Sequence, residues 1–150
     1  MPVYYFDTSA FVKLYVREAG SPEVVALTDN LHDDKLAVLD LAGVEAKAAV
    51  RKRQRMGDLS AAVAGSLLLS LAKDLSEWFL VQPSNGAVVD EALGLLDRYP
   101  LKAYDAMQLA GCIVLAAGEE REVTLVSSDR QLLSAARGEG VAVINPEGGA

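Results

Sequence analysis

The stretch Val3-Tyr4-Tyr5-Phe6-Asp7-Thr8-Ser9-Ala10-Phe11-Val12-Lys13-Leu14-Tyr15-Val16 (VYYFDTSAFVKLYV, residues 3–16) decides the fold. Four β-favouring apolar residues, Val3 to Phe6, show no alternation with polar ones. They read as a short strand buried on both faces. A helix follows from Thr8 to about Arg17 and closes near Gly20. Asp7 stands where the strand hands over to the helix. It reads equally as a helix cap, for which Asp is well suited, and as a carboxylate at the carboxyl edge of a sheet, where α/β folds place their sites.

The same alternation runs to the end of the chain. Ser21-Pro22 restarts a helix, with Ser as N-cap and Pro in the first helical position. Further strands are expected at Leu36–Leu39, Phe79–Val81, Val123–Ser127 and Val141–Ile144. Asp40 caps a helix from Leu41 to about Arg55, stopped by Gly57, and Asp58 caps another to about Ala72. Ser84 opens a helix that ends before Pro100. Ala103–Ala117 closes at Gly118, and Asp129 caps Arg130–Arg137, closed by Gly138. Apolar strands alternating with helices predict a three-layer α/β sandwich with a central, mainly parallel sheet of four to five strands flanked by helices. The 150 residues suit a single domain over 1–150, with only the tail at about 146–150 frayed.

Composition narrows the chemistry. The chain is 51% hydrophobic, 23% charged and carries a net charge of −7. That balance opposes a basic-patch nucleic-acid binder, whose affinity comes from Lys and Arg on phosphates. It opposes less an enzyme that places cations in an acidic pocket. Cys112 is the lone cysteine, so no disulfide framework forms within the chain. The longest apolar run, Ala61 to Ala72, is too short for a bilayer, which needs about 20 residues. No signal peptide is visible, and a soluble cytoplasmic protein is expected.

Three more acids occupy places comparable to that of Asp7. Glu45 falls inside the apolar stripe Leu41, Val44, Ala48 and Ala49; it either reaches solvent at the stripe edge or needs a partner, because an unpaired buried charge costs several kcal/mol. Asp105 shares a helix face with Leu109, Cys112 and Ile113, and also suits the first helical turn. Asp129 follows the clearest strand and also reads as a cap, with Ser127 and Ser128 supplying hydroxyls. If the four converge, two carboxylates about 5 Å apart repel by roughly 3 kcal/mol at an effective dielectric near 20. Such a set takes up protons or holds a cation. Carboxylates without His or Cys suit Mg²⁺ or Mn²⁺. His32, the only histidine, reads as a solvated loop residue. There is no Ser-His-Asp set and no phosphate-cradling G-x-x-x-x-G-K-[ST] loop. Phosphodiester hydrolysis by metal-activated water is the reaction these residues support best.

The order YYFDTSAFVKLY, a helical Glu45, LKAYDAMQLA and LVSSD resembles the PIN-domain ribonucleases, and within them the VapC-type toxins of prokaryotic toxin–antitoxin pairs. The likeness covers nearly the whole chain. It implies a Mg²⁺- or Mn²⁺-dependent endoribonuclease with Asp7, Glu45, Asp105 and Asp129 as metal-binding catalytic acids. Thr8, Ser127 and Ser128 take the supporting polar roles. It also implies an RNA substrate, a homodimer and a cognate antitoxin that covers the acidic site. One departure is Asp40, where the family often has Ser; it can add a fifth acid near the site.

Arg51, Lys52, Arg53 and Arg55 form a basic run that is either a solvated helix end favoured by the dipole or an RNA contact. Without the four site acids the net charge is −7 + 4 = −3, so a local basic strip can matter. Phe11, Leu14, Tyr15, Trp78 and Phe79 suit core packing or, for a minority, a dimer or antitoxin surface. The alternative to a nuclease is a PIN-like RNA- or protein-binding regulatory module without catalysis. A receiver-type phosphoacceptor needs an Asp after the third strand, where Val81-Gln82-Pro83-Ser84 has none. A haloacid-dehalogenase-like phosphatase needs D-x-D, and D-T-S-A lacks the second acid.

Overall fold

The computed structural model describes residues 2–31 and 33–148. Its elements run β1 (Val3–Phe6), α1 (Thr8–Val12), α2 (Ser21–Ala26), β2 (Lys35–Leu39), α3 (Leu41–Arg55), α4 (Ala61–Glu77), β3 (Phe79–Gln82), α5 (Gly86–Arg98), α6 (Ala103–Ala117), β4 (Val123–Val126), α7 (Arg130–Gly138) and β5 (Ala142–Ile144). The five strands form one all-parallel sheet in the order β3-β2-β1-β4-β5. This is the α/β sandwich expected from the sequence.

Successive strand residues face opposite sides of the sheet and feed two cores. Tyr5, Leu39 and Leu125 pack with Leu95, Leu109 and Leu132 from α5, α6 and α7. Phe6, Val38 and Val126 pack with Phe11, Val24, Val50 and Leu71 from α1 to α4. Both faces of β1, β2 and β4 are therefore buried, which is why these strands lack polar alternation. Among the described residues no helix is long and apolar enough to cross a membrane.

β1 lies at the centre, and the chain builds outward from it in both directions. The gap between β1 and β4 is the point where strand order reverses. In open parallel sheets the crevice beyond the carboxyl ends at such a point is where ligands bind.

Several boundaries differ from expectation. α1 ends at Val12, not near Arg17. Beyond it Lys13, Leu14 and Tyr15 bond to carbonyls three residues back, which tightens the chain into turns. Lys13 is thereby buried between Glu18 and Glu147. Gly20, not Ser21, holds the cap position of α2, at φ 86°. Pro146 packs against it, and Asn145–Gly148 forms a turn. Gly149, Ala150 and the expected loop residue His32 lie outside the described residues. Ser60, not Asp58, caps α4 by accepting from the Val63 amide at 3.1 Å. α4 then runs past Ala72 to Glu77, because Leu71 and Leu75 extend its apolar face. Asn85, not Ser84, caps α5.

Candidate active site

The carboxyl ends of β1 and β4 open into a cleft of about 390 Å³. It is lined by Asp7, Thr8, Glu45, Tyr104, Asp105, Gln108 and Asp129, together with Ser9, Val12, Glu18, Ala49 and Arg53. All four acids singled out from the sequence reach this one cleft.

Asp7 follows β1 directly and is 4% exposed. The two readings of this residue are both realised. Its Oδ1 accepts from the Ala10 amide at 2.9 Å, capping α1, and from the Ser9 hydroxyl at 2.7 Å. Its Oδ2 accepts from the Ser127 hydroxyl at 2.5 Å. A carboxylate oxygen has two lone-pair sites, so Oδ1 is fully committed and Oδ2 keeps one site for a further partner. Ser127 also accepts from the Asp129 amide at 3.0 Å, which joins the first acid to the loop bearing the last. Asp129 caps α7 through Oδ1, accepting from the Leu132 amide at 3.0 Å.

Asp105 sits in the first turn of α6. It is the electrostatic centre of the group. Burial raises its pKa, the Asp129 charge raises it further, and Lys102 opposes. Burial likewise raises the pKa of Asp7, with Asp105 adding to it against the bonds from Ser127, Ala10 and Ser9. Glu45 is raised by burial and by Asp105, with the Thr8 hydroxyl pulling the other way. Glu45 is not inside a buried stripe as the sequence suggested. The buried face of α3 is Ala42, Ala46 and Val50, while Val44 is 69% exposed. Glu45 lies on the exposed side of α3, over the cleft.

Tyr104, Gln108 and Glu18 were not picked out from the sequence. Gln108 is 1% exposed, and its Nε2 donates to the Thr8 hydroxyl at 3.1 Å and to the Tyr104 hydroxyl at 3.0 Å. The two hydroxyls are 3.2 Å apart. This amide fixes the wall between α1 and α6. Helical spacing carried the signal, since Tyr104 and Gln108 are four apart and flank Asp105. Glu18 offered none, because it lies beyond the break in α1.

The remaining candidates divide. Thr8 lines the cleft and Ser127 bonds two of its members. Ser128 does not line it; its amide donates to Ser9 Oγ at 3.4 Å. Asp40 does not join the cleft. It accepts from the Ser84 amide at 3.0 Å and the Ser84 hydroxyl at 2.5 Å rather than capping α3. Partial burial pushes its pKa up, but the bonds from Ser84 and the Leu41 amide together hold it below the usual carboxylate range. Of the basic run only Arg53 lines the cleft; Arg51 bonds Gln54 at 2.8 Å. Phe11 and Phe79 belong to the core, with rings 5.2 Å apart edge to face, whereas Trp78 is 52% exposed.

Among the described residues, no Lys or Arg nitrogen comes within ion-pairing distance of Asp7, Glu45, Asp105 or Asp129. Nor are three of these acids close enough to form a preassembled metal cage. The cleft therefore gathers uncompensated negative charge without closing on it. The donors are carboxylate oxygens with hydroxyls nearby, and among the described residues no His or Cys lines the cleft. This set fits a hard divalent cation.

The acids thus gather at the point where the strand order of this parallel sheet reverses. Residues 4–138 match the family described as PIN domain, and the chain belongs to that family. It is 36% identical over 146 residues to two Mycobacterium tuberculosis proteins, Ribonuclease VapC45 and Ribonuclease VapC49, with 95% of each chain covered. The toxin–antitoxin complex from Klebsiella pneumoniae shares the fold at a TM-score of 0.67 and 15% identity, covering 95% of this chain and 97% of that one.

Proposed function

We propose that this chain is an endoribonuclease, the toxin of a toxin–antitoxin pair, which hydrolyses RNA phosphodiester bonds with Mg²⁺ or Mn²⁺ held by Asp7, Glu45, Asp105 and Asp129. One observation carries the reading. Four acids from four separate elements share one cleft, and among the described residues no Lys or Arg pairs with them. The ribonuclease relatives support the substrate, and the toxin–antitoxin neighbour supports a cognate antitoxin as partner. The chain acts in the cytoplasm as a homodimer.

A bound divalent cation supplies Lewis-acid stabilisation of the phosphoryl charge and an activated water. The protein's own groups set where that happens. Asp7 offers the open site on Oδ2, held by Ser127. The same serine steadies the loop before Asp129, while Asp129 Oδ1 caps α7 and leaves Oδ2 for the cleft. Asp105, central among the acids, dominates their mutual repulsion. The Gln108 amide orients the Thr8 and Tyr104 hydroxyls along the wall. Of the basic run closing α3, Arg53 lines the cleft beyond the acids and faces the path of the RNA backbone.

The test is incubation of the purified chain with total cellular RNA in Mg²⁺, in Mn²⁺ and in EDTA, beside Asp105→Asn. Discrete fragments that require both metal and Asp105 are expected. Metal-dependent RNA binding with no fragments would instead favour a regulatory binding module.

A further inference from the structure

Helix α3 carries Glu45, Ala49 and Arg53 at intervals of four residues, and all three line the acidic cleft. Eight residues at 1.5 Å rise place Arg53 about 12 Å along the axis from Glu45. Ala49, between them, is too small to obstruct the groove. Among the described residues Arg53 is the only Lys or Arg lining this cleft.

Its position is fixed by a chain of charges. Arg53 Nη2 donates to Glu18 Oε2 at 2.9 Å. The other oxygen of Glu18 lies 3.7 Å from Lys13 Nζ, and Lys13, only 7% exposed, lies 3.6 Å from Glu147. Glu18 is thus tethered on its far side and presents a fixed acceptor to the guanidinium. The Glu18–Arg53 pair itself is partly exposed, and pairs of this kind contribute little to folding. A single Arg53 nitrogen is engaged among the described residues. The rest of its planar fork suits bidentate donation to a phosphate.

We infer that Arg53, oriented by Glu18, anchors an RNA phosphate displaced along the strand from the one at the four acids. This rests on the ribonuclease reading above. The acidic end of the groove repels an RNA backbone, and a cation fixed at the far end of the same groove offsets that repulsion. Arg51 is turned to Gln54, and Lys52 and Arg55 are exposed outside the cleft, so the role falls to Arg53 alone.

The experiment measures binding of a fluorescein-labelled, random-sequence single-stranded RNA to the full chain carrying Asp105→Asn, from about 50 to 200 mM KCl. Adding Arg53→Gln should raise Kd about three- to tenfold at the low-salt end and reduce the salt slope by about 1. Arg53→Lys should keep the slope and lose part of the affinity. The double change Glu18→Gln with Arg53→Gln removes the orphaned carboxylate together with the guanidinium. Affinity should stay low in that variant; recovery would mean that the pair merely ties α3 to the α1–α2 turn, and would overturn the assignment. An unchanged Kd and slope in Arg53→Gln would also overturn it, leaving Arg53 for an acidic group of a protein partner. So would failure of the Asp105→Asn chain to bind RNA at all. Cleavage of total RNA by the otherwise wild-type chain is scored in parallel, so the anchor can fail while the nuclease stands.

Discussion

Asp7 and Asp105 share a cleft but stand in opposite relation to stability. Asp7 is buried with three donors aimed at it. Asp7→Ala strands the Ser127 hydroxyl and the Ala10 amide and removes a helix cap, a cost of about 2–3 kcal/mol. Asp105 accepts no such set; its raised pKa reflects burial and the Asp129 charge. A carboxyl whose pKa is raised by folding contributes fully below the ordinary Asp value of about 3.9, and that contribution is lost as pH rises through the raised value. Asp105→Asn should therefore stabilise the metal-free protein at neutral pH. Allowing for solvent screening, the gain is about 1 kcal/mol or less, or about 2–4 °C. Melting curves across pH check both. Asp7→Ala should melt lower than wild type. The Asp105→Asn advantage should shrink to nothing as pH falls below about 4. At this scale Asp7, Asp105 and Asp129 were legible because each follows a strand or opens a helix. Glu45 was legible as an anomaly, though its stripe was partly misplaced: Ala42 and Ala46 are buried and Leu41 packs at the edge of the core, whereas Val44 is exposed. For Gln108 and Tyr104 the sequence offered only a helical spacing of four around Asp105, and their contact across to Thr8 is what gives that spacing meaning.

At the scale of elements, β1 and α6 meet more closely than their sequences announce. Gly111 of α6 has no side chain because the Tyr5 ring occupies that place; a Cβ there would overlap the Tyr5 hydroxyl and crowd Leu39. The Tyr5 hydroxyl is fully buried and has no hydrogen-bond partner among the described residues. Two changes separate shape from polarity. Gly111→Val should destabilise by about 1–3 kcal/mol through overpacking. Tyr5→Phe keeps the ring and removes the unmet hydroxyl, and should be neutral or stabilising by about 1 kcal/mol. Urea titrations of the two variants check both values. Most element types and the ends of α3 and α6 could be read from pattern and punctuation. Caps were less secure, since Asp58 and Ser84 each stand within two residues of the residue that serves, Ser60 and Asn85. The end of α1 was out of reach, because no Gly or Pro marks it: the chain tightens into turns at Lys13–Tyr15 within an unbroken apolar pattern.

At the scale of the whole molecule, the sheet order explains why acids separated by about a hundred residues in sequence meet. Running outward from β1 in both directions puts the carboxyl ends of β1 and β4 side by side, and Asp7 and Asp129 leave from those ends. α3 and α6 bring Glu45 and Asp105 over the same gap. An acidic chain of net charge −7 thereby concentrates charge at one edge of its sheet, and the proposed function has a cation, and through it a phosphate, held there. This is the central claim, and metal linkage tests it most directly. The measurement is the melting temperature of wild type and Asp105→Asn in metal-free buffer as Mn²⁺ is added. Binding to the folded state alone stabilises by about 2.7 kcal/mol when free Mn²⁺ is a hundredfold above Kd, roughly 5–10 °C for a chain of this size. Wild type should rise by that amount, and Asp105→Asn should stay near its metal-free value at the same Mn²⁺ concentration. An equal rise in both would put the ion elsewhere, and no rise in wild type at millimolar Mn²⁺ would contradict the metal site itself.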